Sequence, residues 1–222
     1  MNYNYKHLPL NKNRDELIRS ICKNKKILHI GATDAPYTQE KFENGLLLHK
    51  TLMECSEKVM GIDIDSSSID FLKSKGINNI NLFDMNKLGE LPFSPDIIIF
   101  GEIIEHLQNF QTALDNIKSI MTPETELLIS TPNRFYLLSF FIAILQQREP
   151  IHSDHKVVFS YGSLRQLLEA NGLKITHFHF TFLPREKESL FKKTIRLFCK
   201  FRPCAAETLL ATVKINTKPS TH

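Results

Sequence analysis

The segment Lys26–Ala35, KILHIGATDA, decides the fold expected for this chain. Its first five residues form a short run typical of a buried β-strand, and Gly31 ends that run. A helical stretch predicted at about 39–56 follows, and a second strand-like run, 58–62, ends at Asp63. A strand followed by a helix and another strand predicts two parallel strands with the helix packed on their face.

The same alternation continues along the rest of the chain. Further strands are predicted at 77–83, 96–100, 126–130, 173–182 and 208–215, and further helices at 14–22, 66–75, 110–121 and 162–170. The last two strands have no regular crossover helix between them, which favours an antiparallel hairpin at one sheet edge. The pattern therefore predicts an α/β fold with a mostly parallel sheet and helices on both faces.

Length and composition favour one cytoplasmic domain. The chain has 222 residues, of which 42% are hydrophobic and 23% charged, with a net charge of +4. Its four cysteines form no CxxC pair, which excludes a zinc ribbon and suits a reducing compartment. The N-terminal segment lacks the apolar region of a signal peptide, and the apolar run 135–145 is too short to span a bilayer.

We expect a single domain over residues 1–222 with three attached segments. These are an N-terminal helical extension at 1–24, a lid segment at 133–155 and a basic helical insertion at 184–204.

Small or polar residues follow each of the first five predicted strands. They are Gly31, Asp63, Asp84, Glu102 and the run Thr131-Pro132-Asn133. In an open parallel sheet, ligands bind outside the carboxyl ends of the strands, so these residues are expected to line one crevice. A carboxylate after the second strand can accept hydrogen bonds from a ribose diol, which suits Asp63. Asp65 is expected to begin the next helix instead.

Five segments occur in the order and at the intervals of the class I methyltransferases: KILHIGATDA, GIDID, NLFDMNKL, PDIIIFGEIIEHL and LLISTPN. The chain resembles that family over about residues 24–175. Its E-x-x-E-H and TPN motifs are similar to the branch containing ubiquinone-biosynthesis O-methyltransferases and many sugar or natural-product O-methyltransferases. The resemblance implies a Rossmann-like, seven-stranded sheet and S-adenosylmethionine as methyl donor. It also implies O-methylation of a small hydroxylated acceptor, such as a sugar or another metabolite.

The resemblance further implies which residues meet the two substrates. Gly31 and its neighbours would lie against the methionine part of the donor, and Asp63 on the ribose. Asp84 and Met85 would lie around the adenine, and the strand end 100–102 would face the sulfonium. The full set of implied cofactor contacts is His29, Gly31, Ala32, Asp63, Ile64, Asp84, Met85, Gly101 and Glu102. The residues implied to address the acceptor are Glu102, His106 and His155.

The first motif departs from the family pattern of three alternate glycines, because the corresponding residues here are Gly31, Thr33 and Ala35. Glycine is favoured where the backbone approaches a ligand or adopts positive φ, so the loop is expected to follow another path. The alternative function is therefore a catalytically weak or inactive binding or assembly module. A dinucleotide-dependent oxidoreductase is disfavoured, because GxGxxG is absent and Asp63 lies well beyond the usual spacing of about 20 residues from Gly31.

A divalent metal is a second expectation. Glu102, Glu105 and His106 would project from one face if their segment were helical, and carboxylate with imidazole suits Mg²⁺ or Mn²⁺. Small-RNA 2′-O-methyltransferases look similar here, with a later histidine as a further ligand that would match His155. Alternatively, Glu105 braces the backbone or caps a helix, and His106 is structural or a metal-free general base. RNA as substrate is disfavoured, because the chain lacks a dedicated RNA-binding domain and a strong basic face.

Two apolar segments leave more than one interpretation open. The run RFYLLSFFIAILQQREP at 134–150 is apolar on nearly every helical face, which suits a core helix, a dimer interface or a lid over a hydrophobic acceptor pocket. The basic segment 185–202, REKESLFKKTIRLFCKFR, suits a helix on the sheet edge, contact with an anionic membrane, or a site for a phosphorylated acceptor. The expected partner is a small-molecule or glycan acceptor, with membrane contact through 185–202 and a homodimer as further options.

Overall fold

The fold is a seven-stranded sheet covered by helices, in a computed structural model that describes residues 3–185 and 188–217. The strands are β1 (Lys26–Ile30), β2 (Lys58–Asp63), β3 (Ile80–Leu82), β4 (Ile97–Gly101), β5 (Glu126–Pro132), β6 (Leu173–Thr181) and β7 (Thr208–Ile215). Their order is β3-β2-β1-β4-β5-β7-β6. The first five run parallel, and β7 pairs antiparallel with β5 and β6. The predicted Rossmann-like sheet with an antiparallel C-terminal pair is confirmed.

Helices cover both faces of the sheet. The α-helices are α1 (Arg14–Cys22), α2 (Thr38–Glu43), α3 (Leu48–Cys55), α4 (Ser66–Ser74), α5 (Phe110–Lys118), α6 (Leu137–Gln146), α7 (Tyr161–Ala170) and α8 (Leu190–Cys199). Short 3₁₀ helices lie at Met85–Glu90, Ile104–His106 and Pro203–Ala205. Residues 186 and 187 of the predicted basic segment lie outside the described residues.

The central strands are apolar because both of their faces are buried. Ile97 and Ile99 of β4 pack with residues of α1 and α3, whereas Ile98 and Phe100 pack with residues of α5. All four side chains are buried. A continuous apolar run, rather than an alternating one, is what a parallel strand covered on both sides requires.

The predicted helix over 39–56 is wrong as one element, because it is divided into α2 and α3. Gly45 has φ of 67°, a left-handed conformation that ends a helix at little steric cost. The amide of Leu46 then donates to the carbonyl of Lys41 at 2.8 Å, which closes the last turn of α2.

The third strand is shorter than the predicted 77–83. Gly76, with φ of 87°, turns the chain at the end of α4, and the amide of Ile77 donates back to the carbonyl of Leu72 at 3.0 Å. Ile77 therefore belongs to the end of α4, and pairing with β2 begins only at Ile80. At the other end of α4, Asp65 is the N-cap, as expected from the sequence, and it accepts from the amide of Ser68 at 2.7 Å.

Within the described residues, no helix combines the length and the apolar character needed to cross a bilayer.

Gly61 tests the packing between β2 and its neighbours. A Cβ at this position would lie 2.8 Å from side-chain atoms of Ala32, His49 and Ile80. Gly61→Ala is expected to lower the free energy of unfolding by about 1–3 kcal/mol, because packed neighbours must shift. Gly89→Ala is the matched control, since its methyl group would meet only one hydroxyl at 3.7 Å. Urea unfolding measures both, and an unchanged midpoint for Gly61→Ala would contradict the described packing.

Candidate functional site

The carboxyl ends of the five parallel strands form one continuous edge. Three backbone hydrogen bonds, each 2.9 Å long, connect the strand ends: Gly31 N to Ile62 O, Phe83 N to Asp63 O, and Glu102 N to Ser130 O. Asp63 and Asp84 therefore lie on one side of Gly31, and Glu102 and the TPN run lie on the other. The structure brings the residues predicted to follow the strands to a shared edge.

The strand order reverses between β1 and β4, and this is where Gly31 and Glu102 end their strands. Gly31 has φ of 71°, and a Cβ there would lie 2.6 Å from Cδ1 of Ile103. A side chain at position 31 is thus disfavoured by both conformation and space. In sheets of this kind, ligands bind in the crevice at the point where the strand order reverses.

The first loop differs from a glycine-rich loop in how it turns. The positive φ lies at Asp34 (58°), not at Thr33 or Ala35. Thr33 is fully buried, and Asp34 pairs with Lys41, whose Nζ lies 2.6 Å from Oδ1. The loop therefore tolerates Thr33 in place of a glycine, because the residue with left-handed backbone is Asp34, one position after Thr33.

Asp63 already accepts four hydrogen bonds. The amide and hydroxyl of Thr33 donate to Oδ2 at 3.0 and 2.7 Å. The amides of Ile64 and Asp65 donate to Oδ1 at 2.8 and 3.1 Å. A carboxylate offers about four acceptor positions, so all of them are in use.

The adenine-side residues of the prediction lie beyond Asp63. Asp84 follows β3 and caps the short helix 85–90 by accepting from the amide of Asn86 at 2.8 Å. Met85 packs against the main core. Ile64 is 74% exposed next to Asp63, so this part of the edge offers an apolar surface.

His29 is a predicted cofactor residue whose side chain does not reach the edge. It is buried on β1, and its Nδ1 lies 3.2 Å from Nδ1 of His49 on α3, with the two rings stacked. Nε2 of His49 lies 3.3 Å from Oδ1 of Asn79. Burial lowers the pKa of His29 well below its usual value and lowers the pKa of His49 to about 4. Both rings are neutral at pH 7 and belong to the core beneath the site.

Arg14 is a site residue that the sequence analysis missed. It begins α1 and is buried, with Nη1 at 3.2 Å from Oε1 of Glu102 and 3.3 Å from Oγ of Ser130, and Nε at 2.7 Å from Asp15. Burial alone would lower the pKa of Arg14, but the carboxylates of Asp15 and Glu102 outweigh burial and raise it. A lone arginine at a helix start carries no pattern that would predict a partner 88 residues away.

Glu102 is therefore held by Arg14 and does not join the other predicted metal ligands. Glu102 has φ of 54°, an uncommon conformation for a residue with a side chain. The short 3₁₀ helix that follows it includes only Ile104–His106. The expected single helical face for Glu102, Glu105 and His106 is wrong for this reason. Burial raises the pKa of Glu102, although Arg14 opposes the shift.

Glu105, His106 and His155 do come together. Among the described residues, each of these three offers one ligand atom, and the atoms lie within 4.8 Å of one another. The ring centroids of His106 and His155 are 4.7 Å apart, and those of His152 and His155 are 5.6 Å apart. The pKa of His155 is lowered by burial and by the two neighbouring histidines.

Glu105 is both a brace and a candidate ligand. Its backbone carbonyl accepts from the amide of Lys156 at 2.8 Å, and Oε2 accepts from the hydroxyl of Thr131 at 3.0 Å. Oε1 is buried and has no hydrogen-bond partner among the described residues. Burial, assisted by Glu102, raises the pKa of Glu105 to about 8, so this carboxyl group is mostly protonated at pH 7.

A cavity of about 690 Å³ adjoins this cluster. Its wall includes Glu102, His155, Arg185 and residues of the predicted lid, among them Leu138 and Ile142 of α6. No residue of α6 is fully buried, although Leu137, Leu138 and Phe141 pack against the core, so α6 borders the core rather than lying inside it. At the end of the lid segment, Nε2 of His152 lies 3.0 Å from the hydroxyl of Tyr37, in the chain after the first loop.

Asn133 fixes the start of this lid. Its Nδ2 donates to the carbonyls of Cys204 and Ala206 at 2.8 and 2.6 Å, and its Oδ1 accepts from the amide of Phe135 at 3.1 Å. The asparagine of the TPN run therefore holds the lid against the segment before β7.

Comparisons with known proteins agree with this geometry. A family described as "Methyltransferase domain" matches residues 12–178. The fold is similar to that of a SAM-dependent methyltransferase from Archaeoglobus fulgidus, with a TM-score of 0.54, 18% identity and coverage of 90% of this chain and 94% of that one.

Two further structures share the fold. For a SAM-dependent methyltransferase from Aquifex aeolicus the TM-score is 0.54, with 15% identity and coverage of 91% and 90%. For the mitomycin 7-O-methyltransferase MmcR it is 0.55, with 12% identity and coverage of 90% of this chain and 52% of that one. No protein among the curated sequences matches the chain.

The neutral histidine pair predicts acid sensitivity. Between about pH 4 and 6.5, His49 is neutral in the folded chain but protonated in the unfolded chain, so lowering the pH lowers the free energy of unfolding. The loss from His49 is expected to be about 2 kcal/mol between pH 7 and pH 5. His49→Gln should remove this part of the loss, whereas Lys50→Gln on the same helix should keep it. Denaturant unfolding at both pH values decides, and parallel loss in the wild type and His49→Gln would contradict the assignment.

Proposed function

The chain belongs to the methyltransferase-domain family and is an S-adenosylmethionine-dependent methyltransferase, and on this premise we propose that it methylates an oxygen atom of a small hydroxylated acceptor, such as a sugar or another metabolite. The cavity beside Glu102 carries this proposal, because its volume of about 690 Å³ suits a small molecule. His155 and Glu102, the residue after β4, both line this cavity. The mitomycin 7-O-methyltransferase, which is similar in fold, supports transfer to oxygen as part of this proposal.

S-adenosylmethionine, when bound, supplies a methyl group on a positively charged sulfonium. Gly31 and the buried Ala32 would leave the backbone free to approach the methionine part. Asp63 would accept from the ribose hydroxyls, and the exposed Ile64 would pack on the adenine between Asp63 and the segment 84–85. The strand end at Gly101 and Glu102 would face the reacting centre.

The hydrogen bonds already made by Asp63 affect how S-adenosylmethionine would bind. All four acceptor positions of Asp63 are in use, but one of the donors is the Thr33 hydroxyl, whose bond can be exchanged by rotating a side chain. The three backbone donors are the amide of Thr33, in the loop after β1, and the amides of Ile64 and Asp65, which directly follow Asp63. Turning this hydroxyl away would free one acceptor position for a ribose hydroxyl, so binding of S-adenosylmethionine would compete with the bond from Thr33 to Asp63.

The acceptor side requires a proton acceptor and a dry pocket. His155 would take the proton from the acceptor hydroxyl. At the same time the oxygen of that hydroxyl would bond to the methyl carbon, and the carbon–sulfur bond of S-adenosylmethionine would break. A histidine with a lowered pKa is neutral at pH 7 and can accept that proton. His106 would hold the acceptor from the same side, and Leu138 and Ile142 of the lid would exclude water.

A divalent metal held by Glu105, His106 and His155 is an alternative way to activate the acceptor, in which His155 would bind the ion instead of taking the proton. The three ligand atoms within 4.8 Å and the unpartnered Oε1 of Glu105 support it. A carboxylate and two imidazoles suit Mn²⁺ or a similar ion, which would lower the pKa of an acceptor hydroxyl. Glu105 would have to lose a proton to bind the ion, so metal affinity should rise with pH.

The alternative function is a binding or assembly module with weak or no activity. The bond from the Thr33 hydroxyl to Asp63 favours it, because this bond occupies the position that a ribose hydroxyl would take. Calorimetry with S-adenosylmethionine and S-adenosylhomocysteine separates the two functions, since absence of heat at millimolar concentration would support the module.

The fit at Asp63 yields opposite effects for two variants. Asp63→Ala is expected to weaken S-adenosylmethionine binding at least about tenfold, because it removes the ribose acceptor. Thr33→Val keeps the shape but removes the competing hydroxyl, and it should tighten binding about fivefold. Thr38→Val is the control, since that hydroxyl donates to Ser68 instead. Titration calorimetry measures the affinities, and weaker binding by Thr33→Val would refute the competition.

The transfer itself is tested with methyl-labelled S-adenosylmethionine and a panel of sugars and phenols. His155→Gln is expected to slow labelling of the acceptor about a hundredfold or more while donor affinity stays unchanged. His177→Gln is the matched control, because this histidine is exposed on β6 and does not line the cavity. A chelator should slow the wild type only if a metal takes part. Full activity in His155→Gln, or label found only on nitrogen, would overturn the proposed chemistry.

A further inference from the structure

Helix α8 carries apolar residues on two different sides. Ile195 and Cys199 are buried and attach the helix to the body of the protein. The opposite side is solvent-exposed yet also apolar, and the exposed residues recur at helical spacing. They are Leu190 (81% exposed), Phe191 (50%), Leu197 (55%), Phe198 (46%) and, directly after the helix, Phe201 (72%). A surface helix that only covered a sheet edge would be polar on this side.

Helix α6 extends the same apolar surface. Its ten residues, LLSFFIAILQ, include no charged residue, and none of them is fully buried. The ring of Phe141 lies 5.8 Å from that of Phe191 on α8 and 6.1 Å from that of Phe140. The exposed residues Phe140, Ile144 and Leu145 therefore continue the exposed side of α8. We call this combined surface the α6–α8 face.

Positive charge lines the α6–α8 face. Lys193 and Lys200 are exposed on α8 and at its end, and Lys192 is half-buried beside them. No carboxylate among the described residues lies within ion-pair distance of these three lysines. Arg185 and Arg196 of the same segment are different, because they pair with Glu207 and Glu188.

We propose that the α6–α8 face binds the surface of an anionic membrane. A helix with an apolar side and a lysine-rich flank lies in the plane of such a surface, with its apolar residues among the acyl chains and its lysines at the headgroups. In this position the exposed apolar side chains would contact the acyl chains, and the three lysines would contact the anionic headgroups. A second copy of this chain is a poorer occupant, because a symmetric dimer would bring the same lysines together.

The proposal goes beyond methyl transfer and does not depend on it. Leu138 and Ile142 on the inner side of α6 line the cavity, while Ile144 and Leu145 belong to the outer, exposed side. One helix thus separates the cavity from the surface assigned to the membrane. Binding there would place the acceptor site next to the headgroup layer.

Co-sedimentation of the full chain with vesicles tests the proposal. We expect binding to vesicles of equal parts phosphatidylcholine and phosphatidylglycerol and little binding to pure phosphatidylcholine. Leu190→Ser combined with Phe201→Ser should weaken binding at least about tenfold, because two inserted apolar side chains are lost. Both residues are highly exposed, so folding should be preserved, which circular dichroism checks. Met53→Ser on α3 is the matched apolar control.

Substitution of the lysines tests the electrostatic part of the proposal. Lys193→Gln combined with Lys200→Gln should weaken binding to the anionic vesicles about thirtyfold, whereas Lys73→Gln on α4 should leave binding unchanged. Failure of the wild type to sediment with anionic vesicles would overturn the proposal. So would equal binding by the wild type and the Leu190→Ser, Phe201→Ser variant. A dimer in solution that this variant abolishes, without any vesicle binding, would assign the face to a second copy instead.

Discussion

The parallel pairing of β1 with β2 on one side and β4 on the other determines where chemistry takes place in this molecule. Each strand in the set β3-β2-β1-β4-β5 ends at the same edge, and backbone hydrogen bonds such as Gly31 N to Ile62 O connect adjacent ends. Because the strand order reverses between β1 and β4, the chains leaving them diverge and open a crevice. At Gly31 the side chain of Ile103 packs close to the backbone, since a Cβ at this position would lie 2.6 Å from Cδ1 of Ile103.

Charge at the reversal point is controlled by a residue from outside the sheet. Arg14, buried at the start of α1, pairs with Glu102 and so couples the N-terminal helix to the end of β4. Among the described residues, only Oε2 of the neighbouring Glu105 has a hydrogen-bond partner, the hydroxyl of Thr131, whereas Oε1 lies 4.0 Å from Nε2 of His155. Burial therefore raises the pKa of Glu105 to about 8, and the two carboxyl groups have different roles although they are three residues apart.

The segment 133–155 borders two different surfaces. Asn133 fixes its beginning against the carbonyls before β7, and the contact between His152 and Tyr37 ties its end to the chain after the first loop. Between these points, α6 has one side along the cavity and another in solvent. An all-round apolar sequence is therefore explained without burial in the core, because the helix borders a pocket and an exposed apolar face shared with α8.

By itself, the sequence determined the alternation of elements, the parallel sheet and the shared edge of Gly31, Asp63, Asp84 and Glu102, because strand periodicity and strand ends are local properties of the chain. It also determined the family, through motifs spaced along that edge. Only the tertiary structure decided which side chains meet. The Arg14–Glu102 pair, the His29–His49 stack and the Thr33–Asp63 bond join residues 88, 20 and 30 positions apart. Such partnerships depend on packing between elements, which no local pattern encodes.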